Sequence, residues 1–258
     1  MMSSRLRCDR LESVSVFLPV TDETESLINT VEIILADCPE AIREFLIVVC
    51  GRTTQASRDT AAQLQARHPD TVKVIEQKRP FLGGAAQDAF EAAAGSHFLM
   101  MASDMETPPD RVKEFVAMGR KHPSAIITGS RWIKGGGFKG YSRIKYFLNF
   151  VFQKTFSLMY WTRLSDMTYG YRLIPMRLIQ SIRWEELRHP LLFETICKPL
   201  KLGVEVVEIP TMWEARAEGA SSNTFMRNFE YFRVGIKTLF SRRNRILKPE
   251  ALAAPEDK

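Results

Sequence analysis

The sequence predicts an α/β protein: a three-layer α/β/α domain on a mostly parallel central sheet. Three observations predict it. Short apolar runs alternate with segments of helical periodicity from Val14 onward. The runs Phe45-Leu46-Ile47-Val48-Val49 and Phe98-Leu99-Met100-Met101 are apolar at every position, as in strands buried on both faces. The connections are short, so helices join successive strands and the strands run parallel.

Each element follows in order. Val14 to Leu18 is a β-branched run closed by Pro19, and Glu25 to Leu35 spaces Leu27, Ile28, Val31, Ile34 and Leu35 as a helix does. The Phe45 strand comes next, then a helix over Ser57 to Arg67 and a strand over Thr71 to Glu76. Gly83-Gly84 opens an Ala-rich helix, Ala85 to Ala94, which Gly95 stops. After the Phe98 strand, Ala125 to Gly129 is another strand, leading into Ser130-Arg131-Trp132 and a Gly-rich loop over 134–140. A long aromatic helix is predicted near 144–161, with Ile144, Phe147, Leu148, Val151 and Phe152 on one face and Lys145, Asn149 and Gln153 on another. Val204 to Ile209 is a late strand and Asn228 to Phe240 a late helix. Residues 1–13 read as an N-terminal extension, 14–240 as the domain and 246–258 as a flexible tail.

The composition narrows the function. At 258 residues, 45% hydrophobic and 26% charged, the chain is an ordinary folded protein. The net charge of +6 favours an anionic partner. No DNA- or RNA-binding motif accompanies it, so nucleic acid is not expected. Four scattered cysteines without a CxxC pair suit a reducing compartment. The N-terminus lacks a long apolar core and no run is long enough to span a bilayer, so the expected location is cytoplasmic. The four histidines lack ligand spacing, and no Ser-His-Asp or Cys-His arrangement suggests a covalent mechanism.

The candidate chemistry lies at strand ends. Asp104 and Glu106 follow the Phe98 strand in "MMASDMETPP". Alternate residues at a strand end share a side, so the two carboxylates could hold Mg²⁺ or Mn²⁺. Equally, this could be a solvated turn in which Glu106 caps a helix starting near Pro108. Arg131, Arg143, Arg172 and Arg216 all sit at strand ends or in loops, where guanidinium groups suit phosphate. Gly135 to Gly137 could cradle phosphate or be a surface loop. The aromatic helix could be core, a docking face for a membrane-protein partner or second copy, or a membrane-interface helix with Tyr160, Trp161, Lys145 and Lys154 near the headgroups. The stretch around 225–245 repeats the combination of Phe, Leu and basic residues.

The order of motifs resembles glycosyltransferase family 2 on the GT-A fold, and within it the dolichyl- or polyprenyl-phosphate sugar synthases. The family's P-x-x-N-E motif is matched by Pro19-Val20-Thr21-Asp22-Glu23. Its V-D-D-G-S turn is replaced by Val49-Cys50-Gly51-Arg52-Thr53, without either aspartate. Its D-A-D-x-Q-H-P-P metal motif is Ala102-Ser103-Asp104-Met105-Glu106-Thr107-Pro108-Pro109, lacking the first acid. Its G-S-R-Y is Gly129-Ser130-Arg131-Trp132, its D-x-T-S-G-F-R is Asp166 to Arg172, and its closing E-x-P and R-x-x-G-x-S are Glu208-Ile209-Pro210 and Arg216 to Ser221.

The resemblance implies an inverting transferase that moves a sugar from a nucleotide-diphosphate sugar to a polyprenyl phosphate at the cytoplasmic membrane face. Asp104 and Glu106 would hold Mg²⁺ or Mn²⁺. Pro19, Thr21, Glu23, Cys50, Gly51 and Arg216 would contact the donor. Arg131, Arg143 and Arg172 would bind the acceptor phosphate, and Glu194 is the positional candidate for a base. A phosphate acceptor is already anionic and needs no base. The alternatives are a family 2 enzyme acting on a hydroxyl acceptor, and a degenerate GT-A-like binding protein.

Overall fold

The computed structural model describes residues 6–214 and 227–253. The chain runs β1 (Val14–Val20), α1 (Glu25–Asp37), β2 (Ile42–Val49), α2 (Gln55–Arg67), β3 (Val72–Glu76), α3 (Phe81–Ala92), β4 (His97–Met100), α4 (Val112–Lys121) and β5 (Ile126–Ser130). It continues through β6 (Gly137–Lys139), α5 (Arg143–Met159), β7 (Arg172–Pro175), α6 (Met176–Ser181), α7 (Leu191–Lys201), β8 (Val206–Pro210), β9 (Met212–Glu214), α8 (Arg227–Leu239), α9 (Arg243–Ile246) and α10 (Pro249–Ala253).

Seven strands form one sheet in the order β3-β2-β1-β4-β7-β5-β8. All neighbours are parallel except β7, which is antiparallel to both β4 and β5. Alternation within strands builds two cores. Val16 and Leu18 of β1, with Phe45 and Ile47 of β2, face the layer of α1, α2 and α4. Phe17, Leu46 and Val48 face α3, α5, α6, α7 and α8. The expected three-layer α/β/α arrangement is therefore the observed one.

The chain ends contribute to these cores. Leu6, Leu11, Ile246 and Leu247 are buried, and Ile182 bridges Leu247. The predicted extension and the start of the predicted tail thus pack into the two cores. The predicted Gly-rich loop differs as well: Gly137–Lys139 is strand β6, paired in parallel with β9. Helix α3 starts before the Gly83-Gly84 pair. Gly83 lies so close to the backbone of 186–188 that a Cβ would sit 2.5 Å from the Glu186 carbonyl, so the glycine permits a close approach.

Candidate active site

Strand β1 leads outward through β2 to β3, and the chain then returns to place β4 on the other side of β1. Parallel sheets bind ligands at such a switch point, beyond the strands' carboxyl ends. Here the loops after β1, β2 and β4 are laced together. Ser103 Oγ donates to the Pro19 carbonyl at 2.6 Å, and Thr53 Oγ1 donates to the Val20 carbonyl at 2.7 Å. The Thr54 amide donates to the Thr21 carbonyl at 2.8 Å. Glu23, expected on the nucleotide, is buried, and its carboxylate accepts the amides of Thr21 at 2.6 Å and Asp22 at 3.1 Å. It shapes the turn from beneath. Gly51 has open space where a Cβ would stand. Burial pushes the Cys50 thiol up, but hydrogen bonds from Arg52 and Thr53 more than offset this and leave it below its ordinary value.

The acidic loop is closed by Thr107, whose hydroxyl donates to the Ala102 carbonyl at 3.1 Å and accepts the Ala102 amide at 3.0 Å. Asp104 is buried, Glu106 is half-buried, and Asp104 Oδ1 accepts the Glu106 amide at 3.0 Å. Between them Met105 takes φ +66°, a left-handed conformation that the surrounding bonds must hold. Two tyrosines do this from the neighbouring segment: Tyr169 Oη donates to the Glu106 carbonyl and Tyr171 Oη to the Pro108 carbonyl, each at 2.9 Å. Among the described residues no three His, Cys, Asp or Glu side chains converge as a preformed cluster. Two hard oxygen donors on one fixed turn fit Mg²⁺ or Mn²⁺ nonetheless, since these ions are commonly held by one or two carboxylates plus substrate phosphate.

Beside this loop lies a cavity of about 390 Å³ lined by Arg131, Trp132, Gly136, Gly137, Phe138, Tyr141, Arg143 and Tyr146. Arg131 is buried and clamped by Asp166, with Nε to Oδ2 at 2.7 Å and Nη2 to Oδ1 at 2.9 Å. Phe138 and Tyr169 flank its guanidinium at 5.0 and 4.6 Å. Glu208 fixes Asp166 in turn by accepting the Ser165 and Asp166 amides. Gln153 of α5 donates to Thr168 Oγ1 at 2.7 Å and accepts the Met167 amide at 2.8 Å, so α5 is anchored to the same segment. Arg143 is exposed at the start of α5. Trp132 Nε1 is buried without a hydrogen-bond partner among the described residues. An unpaired buried donor costs about 1–3 kcal/mol.

Two further expected site residues need correction. Arg172 is fully buried and donates to the carbonyls of Leu192 and Met167 and to Thr195 Oγ1 and Thr128 Oγ1. Burial pulls it down to about 10, and its bonds are spent inside the protein, so it is a structural residue and not an acceptor ligand. Glu194, the candidate base, is also buried. It accepts the amides of Glu185 and Glu186 and pairs with Lys198 Nζ at 2.6 Å. Burial pushes its carboxyl up against the pull of Lys198. It ties the 185–186 segment to α7 and presents nothing to a substrate. Arg216 lies outside the described residues.

The structure therefore brings Asp104, Glu106, Arg131 and Arg143 to one edge. Sequence reasoning missed Asp166, Glu208, Tyr169 and the aromatic walls Phe138, Tyr141 and Tyr146. Asp166 and Glu208 stand inside quoted motifs, but nothing in the sequence showed that Asp166 answers an arginine 35 positions away.

The chain is similar to known proteins over most of its length. The profile of glycosyl transferase family 2 matches residues 15–183. The dolichol-phosphate mannosyltransferase of Pyrococcus furiosus is 25% identical over 223 residues, covering 85% of this chain and 62% of that protein. The glycosyltransferase AglD of Haloferax volcanii is 23% identical over 225 residues, covering 80% of this chain and 34% of its own length. The chain thus spans less than two thirds of these relatives. Among solved structures, glucosyl-3-phosphoglycerate synthase from Mycobacterium tuberculosis, in complex with Mn²⁺, UDP-glucose and phosphoglyceric acid, superposes with a TM-score of 0.64 at 15% identity. That match covers 90% of this chain and 79% of the other, and it establishes a shared fold. With motif order, sheet topology and the profile match in agreement, the chain belongs to glycosyl transferase family 2.

Proposed function

We propose that this chain transfers a sugar from a nucleotide-diphosphate sugar to a polyprenyl phosphate at the cytoplasmic face of a membrane. One observation carries the choice of acceptor. The cavity pairs two arginines with aromatic walls, and its Tyr146 wall belongs to a helix whose outer face is apolar and exposed. An amphiphile with a phosphate head and a hydrocarbon tail matches both. The dolichol-phosphate mannosyltransferase similarity supports the same class.

In this reading the loops after β1 and β2 receive the nucleotide, with Pro19, Thr21, Cys50 and Gly51 lining it and Glu23 holding their shape. Arg216 is a further diphosphate contact. Asp104 and Glu106 would hold Mg²⁺ or Mn²⁺, which when bound neutralises charge on the departing diphosphate. Arg131 and Arg143 bind and orient the acceptor phosphate. Arg131 is fixed beforehand by Asp166, so little ordering is left for substrate binding to supply. The acceptor oxygen forms the new bond to the anomeric carbon. The bond to the nucleotide diphosphate breaks with its electron pair on the leaving oxygen. The acceptor is already ionised at neutral pH, so no base is needed, consistent with Glu194 being occupied elsewhere.

A thermal-shift screen of UDP- and GDP-sugars with Mn²⁺ tests the donor half. One nucleotide class should raise the melting midpoint in the wild type, and Asp104→Ala should abolish the Mn²⁺-dependent part. No shift with any nucleotide sugar would overturn the donor assignment.

A further inference from the structure

In the motif that Asp166 to Arg172 resembles, the fourth residue is serine and the sixth phenylalanine; this chain has tyrosine at both, Tyr169 and Tyr171. Both added hydroxyls reach the acidic loop, at the carbonyls of Glu106 and Pro108. The two straps differ in what lies behind them. The Tyr171 ring packs on Phe115 of α4, with centroids 4.2 Å apart, so its hydroxyl ties the loop to the core. The Tyr169 ring carries the Arg131 guanidinium at 4.6 Å, and its amide donates to Asp166 Oδ1 at 3.3 Å. One side chain therefore touches the anion-binding arginine with its ring and the carbonyl of a candidate metal ligand with its hydroxyl.

The loop has reason to need this strap. Ala102 supplies no carboxylate where the family motif has one, which leaves the cation to Asp104 and Glu106. Met105 between them holds a left-handed conformation. Binding groups keep their productive geometry, to within about 0.5 Å, through the packing and hydrogen bonds around them.

We propose that Tyr169 is a positioning residue that couples the Arg131–Asp166 pair to the acidic loop and sets the divalent-cation affinity of Asp104 and Glu106. The inference rests on the metal reading above. The test is direct Mn²⁺ binding, read as loss of the free-ion electron paramagnetic resonance signal, without turnover. It is run on the full chain with Mn²⁺ alone, with added UDP and with added GDP. Tyr169→Phe keeps the ring over Arg131 and removes only the hydroxyl. It should weaken Mn²⁺ binding about three- to tenfold, the effect of one hydrogen bond, with the melting midpoint in EDTA within a few degrees of wild type. Tyr171→Phe should change Mn²⁺ affinity by less than twofold. The KM for the nucleotide sugar should rise in Tyr169→Phe while the acceptor KM holds. Unchanged Mn²⁺ affinity in Tyr169→Phe, equal weakening in Tyr171→Phe, or a collapse of the melting midpoint overturns the proposal. If Asp104→Ala binds Mn²⁺ as the wild type does, the metal assignment itself falls, and this inference with it.

Discussion

Removing the Arg172 side chain takes a donor from the Met167 carbonyl and one of two hydrogen bonds from each of Leu192, Thr195 and Thr128, and it leaves a void among buried polar groups. Arg172→Met should therefore destabilise the protein by about 3–5 kcal/mol, measured by denaturant unfolding. A variant of wild-type stability that had lost transfer would restore Arg172 to the acceptor site. The contrast with Arg131 is instructive. Both arginines sit at strand ends in the sequence and both are buried, but Arg131 faces a cavity and has a carboxylate partner, whereas Arg172 is surrounded by carbonyls and hydroxyls. The position of Asp104 and Glu106 was legible because a fully apolar run stops abruptly before them. The fate of Arg172 and Glu194 was not, because it depends on which distant backbone groups point inward.

At the scale of elements, the parallel strands were legible from their apolar runs, within two or three residues at most ends. β7 was not: it is four residues long, begins with an arginine and ends with a proline, too short for periodicity to register. Its insertion between β4 and β5 brings Tyr169 and Tyr171, in the segment that leads into it, against the acidic loop. At the start of β4, His97 is buried, with Nε2 2.9 Å from the Pro123 carbonyl. Burial lowers its pKa, partly opposed by that hydrogen bond. The unfolded chain takes up a proton as the pH falls through about 6.5, while the folded one does not, so acidification costs stability until the lower folded value is reached. His97→Gln should flatten the stability profile between pH 7.5 and 5.5 relative to wild type, by at most about 1.4 kcal/mol per pH unit. Parallel profiles would show that the imidazole titrates alike in both states.

Over the whole molecule, the orientation of α5 is the largest departure from an ordinary amphipathic helix. Its polar Gln153 points inward to the Asp166 segment, while Ile144, Phe147, Leu148 and Val151 are exposed, Ile144 at 74%. Trp161, just past α5, is 92% exposed, and Phe240, just past α8, is 80% exposed. Only Phe152 of the predicted apolar face is buried, packed on Phe193 and Phe232. Arg143, Lys145, Lys154 and Arg163 accompany this surface. Among the described residues no helix is long and apolar enough to cross a membrane. The sequence showed the density of aromatics but not their outward direction, which follows from the Gln153 anchor. An exposed patch of this kind suits an anionic bilayer surface beside the cavity that holds Arg131 and Arg143. Phe147→Glu combined with Leu158→Glu should reduce co-sedimentation with anionic vesicles at least tenfold while leaving the melting midpoint unchanged. Undiminished sedimentation would leave this face without a membrane role, and a second copy of the chain would then be sought by analytical ultracentrifugation.

Sugar transfer to a lipid phosphate is tested by a transfer assay with radiolabelled UDP- and GDP-sugars, Mn²⁺ and a polyprenyl phosphate in vesicles. The account predicts label in the organic phase that requires Mn²⁺, falls at least a hundredfold in Asp104→Ala, and falls in Arg131→Met. Label appearing only on a water-soluble hydroxyl acceptor, or organic-phase label that persists in Asp104→Ala, would contradict it.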